Sequence, residues 1–223
     1  MSANLHNRCI MTQIYLIRHG ETASNKENRM QGWLDTDLSE TGLQQSAALG
    51  KRFRELPVDA VYSSDLRRAM RTAQAICDAK NLPLQTDPAL RELNLGDWSG
   101  RTNEEIAEKY SENLALYRTA PHLWKAPNGE SYAQLQQRMD AAIKKIVAKH
   151  PGQSVAVVSH GGGIKQLMVL YKGLSAEERK SEPIQPNTAV TLLEFGDQGV
   201  RIVYQGDATH LAQPATTHKD AAL

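Results

Sequence analysis

The sequence predicts an α/β fold: a three-layer sandwich in which helices flank a mostly parallel central sheet. Three observations predict it. Short runs rich in β-formers alternate with amphipathic stretches at helical spacing along most of the chain. Polar and glycine-containing turns punctuate the changeovers. Strands that alternate with helices pair in parallel through crossovers, which puts helices on both faces of the sheet.

Residues 14–17 (IYLI) make the first strand, succeeded by the turn RHGE and an amphipathic stretch from residue 39 to about residue 56. Residues 59–62 (DAVY) make the second strand, after which Ser63, Ser64 and Asp65 offer N-cap side chains to a helix running to about Lys80. Its apolar face is Leu66, Ala69, Met70, Ala73, Ile76 and Cys77. A long helix from residue 131 to about residue 150 precedes the third strand, 154–158 (SVAVV). Ser131 with Gln134, and Thr102 with Glu105 upstream, have the spacing of capping boxes. Gly161, Gly162 and Gly163 lead into a helix ending near Tyr171. Two β-like segments, 188–195 and 200–205, close the pattern around a hairpin-like turn, GDQG.

These elements make one domain over 13–206, preceded by a flexible extension over 1–12, in which Met11 is a second candidate start, and succeeded by a tail over 207–223. The stretch from about residue 101 to 130 breaks the strand–helix rhythm. It is helical in pattern, carries Tyr110, Tyr117 and Trp124, ends in APNGES, and reads as a lid or specificity insert.

Composition narrows the function. At 223 residues the chain supports one well-buried core with a modest excursion. Lysine and arginine (26) nearly cancel aspartate and glutamate (25), so neither a nucleic acid nor a membrane surface is an expected partner. Cys9 and Cys77 form no CxxC pair, which argues against a zinc site or a disulfide framework and for a reducing, cytoplasmic location. No apolar run reaches the length of a membrane span, and residues 1–12 lack the apolar centre of a signal peptide.

The residues at the carboxyl ends of the strands carry the chemistry. Arg18-His19-Gly20 comes after the first, residues 63–68 after the second, and Ser159-His160-Gly161-Gly162 after the third. In open parallel sheets ligands bind beyond the carboxyl ends of the strands, so these groups converge. Helix starts there present backbone N–H groups and positive dipole ends, which favour an anion. Phosphoryl transfer asks for clamps on the non-bridging oxygens, and guanidinium forks supply them. It also asks for an in-line nucleophile. A neutral imidazole qualifies near pH 7, and neighbouring arginines disfavour its charged form. A carboxylic acid must protonate the departing alkoxide, and Glu92, in RELNLGDW, is the candidate.

The string LIRHGET resembles the signature around the nucleophilic histidine of the histidine phosphatase superfamily, which includes cofactor-dependent phosphoglycerate mutases and fructose-2,6-bisphosphatases. QGWLDTDLSETG (31–42), SSDLRRAMRTA (63–73), RELNLGDWSG (91–100) and VVSHGG (157–162) resemble its later motifs in the right order, and together they span about residues 14–170. The resemblance implies a phosphoglycerate mutase-like fold. It implies that His19 is phosphorylated, that Arg18 and Arg68 clamp the phosphoryl group with His160 in contact, and that Glu92 acts as acid and then base. Asn25 and Gly161 join the phosphate-binding set. No metal and no other cofactor is implied, the partner is a small phosphorylated metabolite, and a homodimer stays open. The choice of Arg68 over Arg67 or Arg71 rests on the motif, since all three lie off the apolar face. The mutases of the superfamily carry a longer segment between acid and second histidine, with an RHYG-like string. This chain has 67 residues there and no such string, so hydrolysis is expected rather than mutation.

The remaining histidines read as ordinary structure: His6, His122, His150 and His218 by default, His210 as packing. Arg67 and Arg71 read as a solvated helix face, and Trp33 and Trp98 carry no assigned role. A P-loop is excluded because Ile164-Lys165-Gln166 succeeds the glycines at 161–163. A metallohydrolase would need helical HExxH-type spacing, which no pair has. A non-catalytic phospho-ligand binder is the contrasting class.

Overall fold

Thr12 opens the first strand, and from that strand the sheet grows outward on both sides. The structure, a computed structural model, describes residues 11–211, the Lys26 side chain excepted. Six strands, β1 (Thr12–Arg18), β2 (Ala60–Ser63), β3 (Leu84–Thr86), β4 (Ser154–Ser159), β5 (Val190–Gly196) and β6 (Gly199–Asp207), form one sheet in the order β3-β2-β4-β1-β5-β6. The first four run parallel, and the β5–β6 hairpin adds antiparallel strands beside β1. The α/β sandwich is thus as expected, with a mixed sheet at its centre.

Helices α1 (Ala23–Lys26), α2 (Glu40–Phe53), α3 (Arg67–Lys80), α4 (Asn103–Lys109), α5 (Ser111–Thr119), α6 (Tyr132–Lys149) and α7 (Gly161–Tyr171) complete the chain. Strand alternation divides the core. Ile14 and Leu16 of β1, with Val155 and Val157 of β4, pack on the α6–α7 side, while Tyr15, Ile17, Ala156 and Val158 pack on the α2–α3 side. Strands covered on both faces read as continuous apolar runs, which is why IYLI and VAVV carry no polar alternation.

Ser131 and Thr102 close their capping boxes as the spacing predicts. The cap of α3 departs from expectation. Leu66 is its N-cap and makes no side-chain cap bond. Ser63 Oγ donates to the Ser64 carbonyl, and both Asp65 oxygens accept from Arg91 at 2.6 Å. The helix start is served instead by Asp35, which accepts from the Arg67 N–H at 2.7 Å.

Two boundaries also move. Thr12 is in β1 and buried, and Asp207 ends β6. Residues 208–211 come next, and there His210 meets Arg52 and Thr188. The expected N-terminal extension up to residue 10, the tail from 212, Cys9, His6 and His218 lie outside the described residues.

Insert helices α4 and α5 share the main core. Trp98, Tyr117, Trp124 and Tyr132 form an aromatic cluster with centroid separations from 4.9 to 6.5 Å, continuous with the α6–α7 layer. Among the described residues, no helix is long and apolar enough to cross a membrane.

Candidate active site

Three adjacent strands end together. Arg18 of β1 sits opposite Ser159 of β4, and Ser63 of β2 opposite Val158. The His19 N–H donates to the Ser159 carbonyl at 3.0 Å and the Ser64 N–H to the Val158 carbonyl at 3.0 Å, so pairing runs one residue past each strand. His19, His160 and the start of α3 therefore leave the sheet at one edge. The two imidazoles are buried with ring centroids 5.1 Å apart.

His19 Nδ1 lies 2.6 Å from the Gly20 carbonyl. A carbonyl only accepts, so Nδ1 carries the proton and Nε2 keeps its lone pair. Neither ring nitrogen of His160 has a hydrogen-bond partner among the described residues. A fully buried imidazole with both nitrogens unserved is costly, and a bound ligand or an ordered water is the ordinary remedy.

Arg18 and Arg68 are each 1% exposed. Arg18 Nη1 donates to the Gln185 carbonyl at 2.6 Å, and Arg68 donates through Nη1 to Leu34 O and through Nη2 to Gly32 O. Of the three arginines left open by the sequence, only Arg68 turns inward. Arg67 and Arg71 pair at the surface with Asp35 and Asp37.

Both imidazoles are held neutral. Burial is the largest cause of the lowered His19 pKa, and the Arg68 and Arg18 charges add to it. His160 is lowered by burial, then by Arg68 and His19, with Arg138 and Arg18 adding less. Arginine repulsion, the reason read from the sequence, is second to desolvation. Nuclear magnetic resonance should find both rings still neutral at about pH 6. The unfolded chain takes up these protons near the ordinary histidine value of 6.5 and the folded chain does not. This stabilisation is therefore present above about pH 6.5 and lost as pH falls toward the folded values. The unfolding temperature should fall between about pH 7 and pH 5, with a shallower slope in His160→Gln; equal slopes would show that these rings are not the source.

Glu92 is 6% exposed and rests on the start of α7. Its Oε2 accepts from Gly162 N at 2.9 Å, and its Oε1 from Gly163 N at 3.1 Å and Leu93 N at 2.8 Å. The positive helix end expected to greet a ligand is thus partly taken by an internal carboxylate, which fixes that carboxylate beside His160. Gly161 precedes these two donors as the first residue of α7. A Cβ on Gly162 would lie 2.6 Å from Glu92 Oε1, so only glycine leaves room. Arg138, unforeseen in the sequence, donates to the carbonyls of Ala89, Arg91 and Glu92 while pairing with Glu130, and so holds the segment carrying Glu92. Trp33 Nε1 also donates to the Glu92 carbonyl, at 2.7 Å.

The crossing before β5 was also missed. Asn187 Nδ2 donates to the His19 carbonyl, and the Thr188 N–H to the Arg18 carbonyl. Thr188 is fully buried at φ 57°. A β-branched residue there costs about 1–3 kcal/mol. Its hydroxyl meets His210 Nε2 at 3.1 Å, and His210 Nδ1 accepts from Arg52, so His210 is neutral with its proton on Nε2. Burial, helped by Arg52, pushes its pKa down to about 4. His210 packs, as the sequence suggested.

Asn25 is buried in α1, the short helix after His19. Its Oδ1 accepts from the Thr22 N–H and hydroxyl to cap α1, so a contact with a phosphate oxygen would come from Nδ2. Among the described residues, no three His, Cys, Asp or Glu side chains come together in a way that could hold a metal ion.

Comparison with known proteins adds a family. A model described as the histidine phosphatase superfamily (branch 1) matches residues 14–208. Over 210 residues the chain is 32% identical to a probable phosphoglycerate mutase of Yersinia pestis, spanning 92% of this chain and 97% of that one. Bacillus stearothermophilus YhfR matches with TM-score 0.85 at 38% identity, covering 89% of this chain and 98% of its own. A mycobacterial glucosyl-3-phosphoglycerate phosphatase, solved with VO3, matches with TM-score 0.78 at 29% identity, covering 87% and 99%.

Proposed function

The chain belongs to branch 1 of the histidine phosphatase superfamily, and from that premise we propose that it hydrolyses phosphate monoesters of small metabolites through a phosphohistidine at His19. The observation that carries the reading is a pair of buried imidazoles 5.1 Å apart beside the buried guanidinium groups of Arg18 and Arg68, burial first and these charges second disfavouring the protonated rings. A site that keeps nucleophiles neutral and cations buried is complementary to a phosphoryl group.

In the first step His19 Nε2 attacks phosphorus, the P–O bond to the leaving group breaks, and Glu92 gives that oxygen its proton. In the second, Glu92 takes a proton from water, the hydroxide oxygen bonds to phosphorus, and the N–P bond breaks to return the imidazole and inorganic phosphate. Arg18 and Arg68 clamp the non-bridging oxygens, His160 supplies the ring nitrogen that lacks a protein partner, and Asn25 Nδ2 and the Gly161 amide complete the cradle.

Hydrolysis is preferred to mutation because only 67 residues separate Glu92 from His160, without an RHYG-like string. The mutase reading is kept by the Yersinia relative's name. A panel of phosphorylated metabolites, with and without 2,3-bisphosphoglycerate, separates the two. Phosphate release is expected. Vigorous interconversion of phosphoglycerates with negligible phosphate release would overturn the preference.

The seat of the acid gives a further expectation. Gly162→Ala pushes a methyl against Glu92 Oε1, and a displacement on the order of 1 Å at a catalytic group costs about 10²-fold. A loss of that order in kcat is expected in a variant that still folds, as its melting transition would show; wild-type kcat would show that the acid works from another position.

A further inference from the structure

We propose that a cavity of about 270 Å³ beside α7 is a second anion subsite, and that the substrate is a phosphate monoester bearing another acidic group, carboxylate or phosphate, on its leaving-group side. The proposal rests on the phosphatase reading and adds the class of ester.

Among the described residues four cations line the cavity and no carboxylate does: Arg118 from the insert, Lys165 from α7, and Arg179 and Lys180 from the 3-10 turn Glu178–Ser181. Arg118 and Lys180 are exposed at its rim, while Lys165 and Arg179 are half-buried deeper in. Gln166, also in the lining, is 1% exposed. Its Oε1 accepts from Arg179 Nη2 at 2.7 Å, while its buried Nε2 has no acceptor among the described residues. An acceptor atom is what that amide lacks. Arg179 is held flat, its guanidinium carbon 4.0 Å from the centre of the Tyr132 ring. Lys165 is pushed toward its neutral form by burial and then by Arg179, and Arg179 is itself lowered by burial. An arriving anion would offset this crowding.

The cavity stands close to the acid. Gly162, which binds Glu92, and Gln166 are four residues apart on α7, hence on one face and about 6 Å apart along the axis. Tyr132 lines the cavity and its phenol feels the Glu92 charge. Glu92 serves the leaving-group oxygen, so a group attached to that oxygen reaches the cavity within a few bonds. A separate anion would gain nothing from this proximity, which is why the anion is assigned to the substrate.

The test uses two esters that differ in one charge, 4-carboxyphenyl phosphate and its neutral isostere 4-carbamoylphenyl phosphate. Wild type should favour the carboxylate by roughly 10- to 100-fold in kcat/KM, the worth of a charge-assisted contact. A Lys165→Gln/Arg179→Gln double variant should bring that ratio close to one. A wild-type ratio near one, a ratio unchanged in the double variant, or equal loss on both esters each overturns the subsite. Activation of carbamoyl-ester turnover by free benzoate or phosphate, in wild type and not in the double variant, would show a separate effector and overturn the assignment to the substrate. Failure of wild type to cleave either ester removes the phosphatase reading itself, whereas cleavage without preference removes only the subsite.

Discussion

His19→Ala should lose turnover by a factor on the order of 10⁴ to 10⁶, the scale seen when a covalent nucleophile is removed from a unit that works together. The loss should appear in kcat with every ester, because the covalent step of the proposed mechanism passes through this ring. His160 cannot substitute easily: its ring is buried 5.1 Å away with neither nitrogen oriented by a protein partner, whereas the Gly20 carbonyl fixes the His19 tautomer. Folding should survive, since the backbone bonds of residue 19 to Ser159, Thr188 and Asn187 do not need the ring. The check is twofold: steady-state turnover, and acid-labile phosphate on the rapidly quenched wild-type chain, located by mass spectrometry. A variant that still turns over, or a quenched wild type without the adduct at residue 19, removes the mechanism. A wild type that binds esters without turnover would instead establish the non-catalytic class.

Glu92→Gln should show a leaving-group dependence that a merely positional role would not. For alkyl phosphates the acid is needed to protonate a poor leaving group, so kcat should fall by about 10²- to 10⁴-fold. For p-nitrophenyl phosphate the leaving group departs without help. There the first step persists and the second, which needs the base, is slowed. The expected record is a burst of nitrophenolate close to one equivalent of enzyme, then slow turnover. The amide keeps an oxygen for one backbone donor on α7 but presents an NH₂ to another, so the Tm should be tracked beside the rates. Equal slowing of both ester classes with no burst would assign Glu92 to positioning alone.

Much of the fold was legible because strands buried on both faces announce themselves as unbroken apolar runs, and because each of the three that deliver chemistry runs straight into polar residues. What escaped has physical reasons. β3 is three residues long and owes its conformation to β2, not to any pattern of its own. α1 is a four-residue turn closed by Thr22 and Asn25. The cap of α3 arrives from Asp35, which no local window contains. Arg68 looked like its neighbours because a helical wheel marks apolar faces. The inward face of α3 at this point is polar, Arg68 and Thr72 being both buried and one turn apart. Glu92 was a candidate from its segment and from the resemblance, but its seat on the helix start, and Arg138 behind it, are tertiary facts. The clasp of residues 185–188 on Arg18 and His19 brings together positions more than 160 apart in the chain.

That clasp bears on how the protein can be handled. The strained threonine that holds the Arg18–His19 backbone is tethered by hydroxyl to the imidazole of the last described turn, and that imidazole is in turn anchored on α2 through Arg52. The turn after the sheet's outer hairpin is therefore a mechanical brace for the loop that carries His19, and cutting into it should slacken the floor on which residue 19 stands.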